Sequence, residues 1–126
     1  MDPTDRRYTS EHEWVKLEGD VAVVGITDFA QDQLGDVVYV ELPKVGDRVE
    51  AAKSFGVIES VKTASDLFAP VSGTVEAVND QIITEPQLVN DAPYAGGWLI
   101  KVKPDSPSEI DTLMTAEQYA DQVTKS

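Results

Sequence analysis

The chain has 126 residues, and its 10 Lys plus Arg against 23 Asp plus Glu give a formal net charge of −13 at pH 7. The length predicts one domain, and the negative charge excludes nucleic acid as a partner, because phosphates would be repelled. Cysteine is absent, which excludes disulfides and thiolate metal sites, and no apolar run reaches the roughly 18 residues of a membrane-spanning helix.

The excess of acidic residues has three interpretations, which the sequence leaves open. It keeps a small protein soluble and monomeric, it steers the chain toward basic patches on partner enzymes, or it reflects adaptation to high salt. We expect a monomer, because a high net charge of one sign opposes self-association. We expect it in the cytoplasm, because the lack of cysteine fits a reducing compartment. Residues 1–7 also lack the apolar stretch of a secretory signal.

The N-terminal part is predicted to be mainly strands. Residues 14–17 and 21–26 flank the turn at 18–20 and form a first hairpin. Residues 36–42 are rich in β-branched side chains, which favours another strand.

A short helix is predicted near 28–34, between these strands. Thr27 is the expected N-cap, because its side chain can accept a bond from a first-turn amide. Gly35 can take the left-handed conformation that ends many helices.

The middle of the chain continues the strand pattern. Residues 54–60 and 66–70 are predicted to be the two arms of a hairpin, followed by a strand at 73–79. Residues 79–97 are expected to be irregular, and 98–103 form the last strand.

Two short helices are predicted at the C-terminus. Ser106 and Glu109 have capping-box spacing around a proline at the first helical position. Thr115 repeats the capping pattern before a second helix, which carries Tyr119 and Val123 on one face.

Lys62 is the residue that bears most directly on function. It lies between the two hairpin arms, with Gly56 and Gly73 on either side. A lysine at a hairpin tip is exposed and can be reached by a modifying enzyme. The same position also suits an ordinary solvated lysine, and spacing alone does not separate the two.

The motifs around Lys62 and along the chain resemble those of the H proteins of the glycine cleavage system. The resemblance runs from about Tyr8 to Tyr119, and several separated motifs in order make it more specific than one short match. The matching segments are 12–15, 24–31, 34–43, 59–66, 72–73, 78–79, 86–90, 93–94 and 96–99. Residues 80–84 depart from the usual pattern, which puts the shape of that loop in doubt.

The resemblance implies a mainly β fold. We expect a barrel-sandwich hybrid of two antiparallel sheets, like lipoyl and biotinyl domains, with a short helix near 28–34 and short C-terminal helices. It implies a single lipoyl-carrier domain over 1–126, with a β core at about 8–103 and a helical segment at about 106–124.

The resemblance also implies a carrier without catalytic activity of its own. Lys62 would hold lipoic acid in amide linkage, and the arm would take the aminomethyl group of glycine from glycine decarboxylase to the aminomethyltransferase. Dihydrolipoamide dehydrogenase would reoxidise it, and a lipoate-attaching enzyme would install it.

The resemblance assigns roles to five further residues. Glu13 and Asp66 match acidic positions near the cleft where the loaded arm rests, and charge-assisted bonds could hold its terminal amine there. His12, the lone histidine, is expected to fix local structure or the cleft rim, and it cannot form a metal site by itself. Glu59 and Ser60 are candidates for recognition by the lipoate-attaching enzyme.

Four other classes of protein compete with this assignment. Lipoyl domains of 2-oxoacid dehydrogenases usually carry Asp-Lys-Ala at the turn and biotin carriers have Met on both sides, whereas Lys62 lies between Val61 and Thr63. An H-like protein that relays lipoyl groups to other enzymes would share the fold and the lysine. An enzyme is disfavoured, because no nucleophile set, metal-ligand cluster or phosphate loop is found.

Overall fold

The computed structural model describes residues 3–125, so residues 1, 2 and 126 of the expected domain lie outside the described part. Within that range the strands are β1 Arg7–Tyr8, β2 Glu13–Glu18, β3 Val21–Ile26, β4 Val37–Glu41, β5 Arg48–Val49, β6 Ser54–Ser60, β7 Ala64–Phe68, β8 Gly73–Val78 and β9 Ile100–Pro104. The helices are α1 Asp28–Leu34, α2 Asp80–Thr84, α3 Leu88–Asp91 and α4 Ala116–Lys125, with a 3₁₀ helix at Pro107–Thr112. No helix among these residues has the length and apolar character to cross a membrane.

The strands form two antiparallel sheets. One sheet has six strands in the order β1-β2-β3-β9-β8-β5, and the other has three in the order β4-β6-β7. Every pair of neighbouring strands is antiparallel. This arrangement confirms the expected mainly β fold, the helix at 28–34 and the short C-terminal helices.

The core lies between the sheets in two apolar clusters. One is built on Val24 and Ile100 of the larger sheet, and the other on Ile58 of the smaller sheet. Leu42 and Phe55 pack against both clusters and so connect them. Burial of these β-branched and aromatic side chains is the main driving force for bringing the two sheets together.

A third cluster attaches helix α4 to the N-terminal strands. The ring of Tyr8 stacks on that of Tyr119 with centroids 4.9 Å apart, and both are fully buried with Trp14 close by. Trp14 fits because position 25 is glycine: a Cβ on Gly25 would lie 2.5 Å from the indole ring. The C-terminal helix is therefore part of the packed structure.

Two predicted helix ends are confirmed. The Thr27 hydroxyl accepts a bond from the Ala30 amide, and Gly35 ends α1 with φ of 78°. At α4 the capping box is reciprocal: the Gln118 amide donates to the Thr115 hydroxyl at 3.2 Å and the Thr115 amide donates to the Gln118 side chain at 2.9 Å.

The predicted capping box at Ser106 is wrong. Residues Pro107–Thr112 form a 3₁₀ helix, and the Ser106 side chain makes no capping bond. The Glu109 carboxylate instead accepts a 3.1 Å bond from the Ser72 amide. The Glu109 carboxylate, which the capping-box pattern predicted to bond at the helix end, therefore bonds to a residue that is distant in sequence.

The prediction that residues 79–97 are irregular is also wrong in part, because α2 and α3 lie there. Asn79 caps α2 by accepting a bond from the Gln81 amide, and its side-chain nitrogen donates to the carbonyls of Gly96 and Trp98. Helices of four or five residues are too short to leave a readable period in the sequence.

Candidate functional site

Lys62 lies in a tight turn that joins β6 and β7. The Ser60 amide donates to the Thr63 carbonyl at 2.8 Å, and the Ser60 hydroxyl accepts from the amides of Lys62 and Thr63 at 3.1 and 3.2 Å. These bonds satisfy the turn's backbone groups and leave the Lys62 side chain exposed. The sequence-predicted hairpin tip is where the lysine is found.

The turn is attached to the loop that follows α1. The Val61 amide donates to the Asp36 carbonyl at 3.0 Å. The stem of Lys62 lies over Gly35, since a Cβ added there would be 3.1 Å from the lysine Cε. Glycine at position 35 therefore supplies both the positive φ that ends α1 and the room for the lysine stem.

Asn90 of α3 supports this loop. Its side-chain nitrogen donates to the Gly35 carbonyl at 2.8 Å and to the Gln31 side chain at 3.0 Å. Its side-chain oxygen accepts from the Val37 amide at 2.9 Å. Sequence reasoning matched Asn90 to a motif without giving it this role.

A cleft of about 290 Å³ lies between α1 and β7. We call it the α1–β7 cleft. Half of its lining residues are apolar, and the polar ones come from residues 11–13, from Gln33 of α1 and from Ser65 and Asp66 of β7. The lining residues are Glu11, His12, Glu13, Ile26, Phe29, Ala30, Gln33, Leu34, Ile58, Ser65, Asp66 and Leu67. Leu34 directly precedes the glycine beneath the Lys62 stem, so the cleft begins beside the lysine.

Glu13 is the buried acid of the cleft, with 2% of its surface exposed. The Thr9 hydroxyl donates to its Oε1 at 2.6 Å, and the Phe68 amide donates to its Oε2 at 3.2 Å. Burial raises the pKa of Glu13 from 4.5 to about 7, although both hydrogen bonds act in the opposite direction. Near neutral pH this carboxyl is therefore poised between its two protonation states.

Asp66 lines the same cleft but at its outer rim. Its side chain is exposed, and it accepts a long 3.3 Å bond from the Ser54 hydroxyl. Glu13 and Asp66 thus line one cleft, but only Glu13 is sheltered from water. An amine would be held more strongly by the sheltered carboxylate, because solvent screens the exposed one.

His12 forms part of the cleft rim and is fixed by helix α4. Its Nδ1 lies 2.8 Å from the Tyr119 hydroxyl, which is in turn 2.7 Å from the Thr27 hydroxyl. The His12 ring packs against Phe29 with centroids 4.8 Å apart. Burial lowers the pKa of His12 below its ordinary 6.5, so the ring is neutral at pH 7.

Neither Glu59 nor Ser60 is among the described residues that line the α1–β7 cleft. Glu59 pairs with Tyr39 on one side and Ala64 on the other. Ser60 has a structural task, because its hydroxyl closes the lysine turn. The structure therefore separates these two residues from Glu13.

The hydrogen-bond partners of Glu13 could not be recognised in the sequence. Thr9 precedes it by four positions and Phe68 contributes only a backbone amide, so neither leaves a motif. The apolar wall from α1 left a weak signal: Ala30 and Leu34 are four residues apart, the spacing of one helical face.

A larger cavity of about 570 Å³ lies elsewhere, between the N-terminal segment and residues 109–114. It shares only Glu11 and Glu13 with the α1–β7 cleft, and no residue of the lysine turn lines either of them. We take the smaller cleft as the candidate site, because its lining residue Leu34 directly precedes Gly35, over which the Lys62 stem lies.

The chain matches a known protein family along almost its whole length. The family described as glycine cleavage H-protein matches residues 6–126. A glycine cleavage system H protein of Carboxydothermus hydrogenoformans is 56% identical over 117 residues, covering 93% of this chain and 90% of that protein. One of Bacillus pumilus is 55% identical over 123 residues, covering 98% and 96%.

A solved structure gives the same result. The crystal structure of a glycine cleavage system H protein from Mycobacterium marinum superposes with a TM-score of 0.90 at 43% identity, covering 98% of this chain and 99% of that chain. The match in sequence runs over nearly the whole chain, and the match in fold includes both sheets. The chain therefore belongs to the glycine cleavage H-protein family of non-catalytic lipoyl carriers.

Proposed function

We propose that this chain carries a lipoyl group on Lys62 and delivers the aminomethyl group of glycine between enzymes of the glycine cleavage system. The observation that supports this most directly is the position of Lys62. Its side chain is exposed on a hydrogen-bonded turn, and the α1–β7 cleft begins beside it. A lipoyl group supplies a disulfide that can be reduced and loaded.

The dimensions of the cleft fit such an arm. A lysine stem extended by a lipoyl chain reaches on the order of 14 Å, from roughly a dozen bonds projected along the chain. Strand β7 rises about 3.3 Å per residue, so Ala64 to Phe68 spans roughly 13 Å. Because the Phe68 amide contacts Glu13, an arm lying along β7 would end near that carboxylate.

Glu13 then holds the amine of the loaded arm. The amine is cationic near neutral pH, and a cation beside Glu13 would favour the ionised carboxylate that burial alone disfavours. Asp66 contributes a second, weaker attraction at the cleft mouth, and neutral His12 forms its rim without repelling the amine. Holding the amine away from water slows premature loss of ammonia.

The partners follow from this role. The chain accepts the aminomethyl group at glycine decarboxylase, presents it to the aminomethyltransferase and is reoxidised by dihydrolipoamide dehydrogenase. A lipoate-attaching enzyme modifies Lys62, and Glu59 and Ser60 beside it are candidates for recognition. Tethering makes each delivery effectively intramolecular, at roughly millimolar effective concentration.

The same role gives the organisation of the chain. We propose a single lipoyl-carrier domain over residues 1–126, with a β core at about 8–103 and a helical segment at about 106–124. The strong negative charge fits a monomer that is active in the cytoplasm.

Mass analysis of the peptide containing Lys62, from cells supplied with lipoate, tests the attachment. A lipoyl-sized increment is expected there, and Lys62→Arg should abolish it. Lys53→Arg is the matched control, because Lys53 is an exposed lysine immediately before the same hairpin. An unmodified Lys62, or an increment that survives Lys62→Arg, would contradict the proposal.

The carrier step is tested with purified glycine decarboxylase. The lipoylated chain should support glycine-dependent exchange of carbon dioxide, and the Lys62→Arg chain should not. A lipoylated chain that fails in this exchange but donates its lipoyl group to other enzymes would instead be a relay protein.

A further inference from the structure

The three-stranded sheet has one buried face and one exposed face. Val40, Ile58 and Leu67 point inward and are at most 2% exposed. Side chains alternate between faces along a strand, so their neighbours Glu41 and Glu59 point outward. The outward face ends at the turn that carries Lys62.

A β-bulge places two apolar residues together on this outer face. Val37 pairs with Ser60 and Tyr39 with Glu59, so Val38 is an extra residue in β4. Val37 and Val40 are both buried, whereas Val38 is 53% and Tyr39 is 47% exposed. Without the bulge, regular alternation would have turned one of these two inward.

Val61 extends this apolar surface to the lysine. It is 67% exposed, directly precedes Lys62, and its amide is bonded to the carbonyl of Asp36, two residues before Val38. We call Val38, Tyr39 and Val61 the outer patch. They are three of the six large apolar residues that are exposed among residues 3–125, and exposed apolar groups gathered at one place are typical of interaction sites.

The charge on this face has one sign. Strands β4, β6 and β7 contain Glu41, Glu59 and Asp66 but neither lysine nor arginine. Asp36 adds another exposed carboxylate beside the turn. A partner that covers the outer patch should therefore present an apolar surface bordered by lysine or arginine side chains.

The length of the lysine side chain separates the enzyme that modifies Lys62 from the enzymes that act on the end of a lipoylated arm. The lysine stem alone extends only about 6 Å, from five bonds of about 1.5 Å projected along the chain. An enzyme that acts on the lysine nitrogen must place its active site within that distance of the turn. Enzymes that act on the end of a lipoylated arm can stand more than twice as far away.

We infer that the outer patch with its carboxylates is the docking surface for the lipoate-attaching enzyme. This inference rests on the proposed attachment of lipoate to Lys62. The enzyme would cover Val38, Tyr39 and Val61 while its basic residues face Glu41 and Glu59.

The test is the binding and modification of the unmodified chain by a purified lipoate-attaching enzyme. Val38→Thr, Tyr39→Thr and Val61→Thr remove apolar surface that is already exposed, so folding should be preserved. In the triple variant the Kd from calorimetry and the KM for the chain should rise by about tenfold or more, with kcat little changed. Val45→Thr and Leu17→Thr are matched controls, because these residues are 62% and 43% exposed and lie outside β4, β6, β7 and the lysine turn.

Salt dependence tests the charged border. The affinity of the unchanged chain should fall as sodium chloride is raised, because exposed charges are screened. Glu41→Gln with Glu59→Gln should weaken this dependence, whereas Glu18→Gln, on β2 of the other sheet, should leave it unchanged.

Failure of the docking surface and failure of the proposed function give different results. If Lys62 of the unchanged chain is lipoylated but the triple variant matches the Val45 and Leu17 controls in Kd and KM, the docking surface lies elsewhere. If Lys62 of the unchanged chain is never lipoylated, the proposed function itself fails. A thermal unfolding curve of each variant separates lost docking from lost folding.

Discussion

Thr9 and Glu13 are joined by three hydrogen bonds, two that involve the Thr9 hydroxyl and one between backbone atoms. The Thr9 hydroxyl donates to Glu13 Oε1 at 2.6 Å and accepts from the Glu13 amide at 3.1 Å, while the Thr9 amide donates to the Glu13 carbonyl at 2.9 Å. The buried carboxyl is therefore oriented by a residue that no part of the arm needs to touch.

Thr9→Val should destabilise the chain and leave Glu13 less ionised. Valine matches threonine in shape but lacks the hydroxyl, and losing a hydrogen bond to a buried charged group costs about 1–3 kcal/mol of unfolding free energy. The free energy is measured by urea unfolding at pH 8, and the ionisation of Glu13 by the NMR shift of its carboxyl carbon. Thr9→Ser keeps the hydroxyl and should restore the Glu13 titration, so equal titrations in the two variants would contradict this account.

Glu13 should make folding less favourable as pH rises. Its pKa is raised from 4.5 to about 7 in the folded state, so between these values the unfolded chain releases a proton that the folded chain keeps. The stabilisation present below about pH 4.5 is lost on passing pH 7, and it amounts to roughly 3 kcal/mol from the pKa difference.

Urea unfolding of the unmodified chain and of Glu13→Gln at pH 5 and pH 8 measures this effect. The variant should gain stability relative to the unchanged chain as pH rises, because glutamine does not titrate. A constant difference between the two across this range would show that the Glu13 pKa is close to its ordinary value.

In the loaded chain, Glu13→Gln should speed the release of ammonia into solvent. A charge-assisted bond to a sheltered amine contributes about 1.5–3 kcal/mol, which corresponds to release faster by about tenfold or more. Asp66→Asn should have a smaller effect, since the Asp66 carboxylate is exposed.

Glu59→Gln is the control for this experiment, because Glu59 lies outside the cleft lining and should leave the release rate unchanged. Ammonia is measured over time after removal of the partner enzymes. A Glu13→Gln chain that keeps its ammonia as long as the unchanged chain would exclude Glu13 as the group that holds the amine.

Tyr119→Phe should loosen the cleft rim from the C-terminal helix. Phenylalanine keeps the ring that stacks on Tyr8 but removes the hydroxyl between His12 and Thr27. We expect a loss of about 1–3 kcal/mol in unfolding free energy and a changed environment of the His12 ring.

The His12 ring resonances in NMR spectra measure that environment directly. Tyr39→Phe is the matched control, because Tyr39 is 47% exposed and its hydroxyl should contribute little. If both variants leave the His12 resonances in place, helix α4 does not hold the cleft rim through Tyr119.

Much of the fold could be predicted because its signals are local. The helix at 28–34 carries its own N-cap in Thr27 and its terminal glycine in Gly35, and the hairpin around Lys62 has strand-like arms on both sides. The short helices α2 and α3 could not be predicted, because their ends depend on tertiary partners such as Asn79 bonding to Trp98.

The candidate site was predictable only in its titratable members. Lys62, Glu13, His12 and Asp66 belong to motifs, and the cleft contains the last three. The depth of Glu13 was not predictable, because it follows from a backbone amide of β7 that is 55 residues away in sequence. The capping box expected at Ser106 failed for a related reason, since Glu109 found a partner outside its own helix.

The bonds from Val61 to Asp36 and from Ser60 to the lysine turn have a consequence for how the carrier moves. With the backbone at Lys62 held to the sheet and, through Gly35 and Asn90, to helix α3, an arm attached to Lys62 would move through side-chain torsions. The attachment point is a fixed centre, and every position of the reactive end lies within one arm's length of it. An enzyme that acts on such an arm would therefore have to be aligned by docking of the whole protein, because the backbone at Lys62 is held in place.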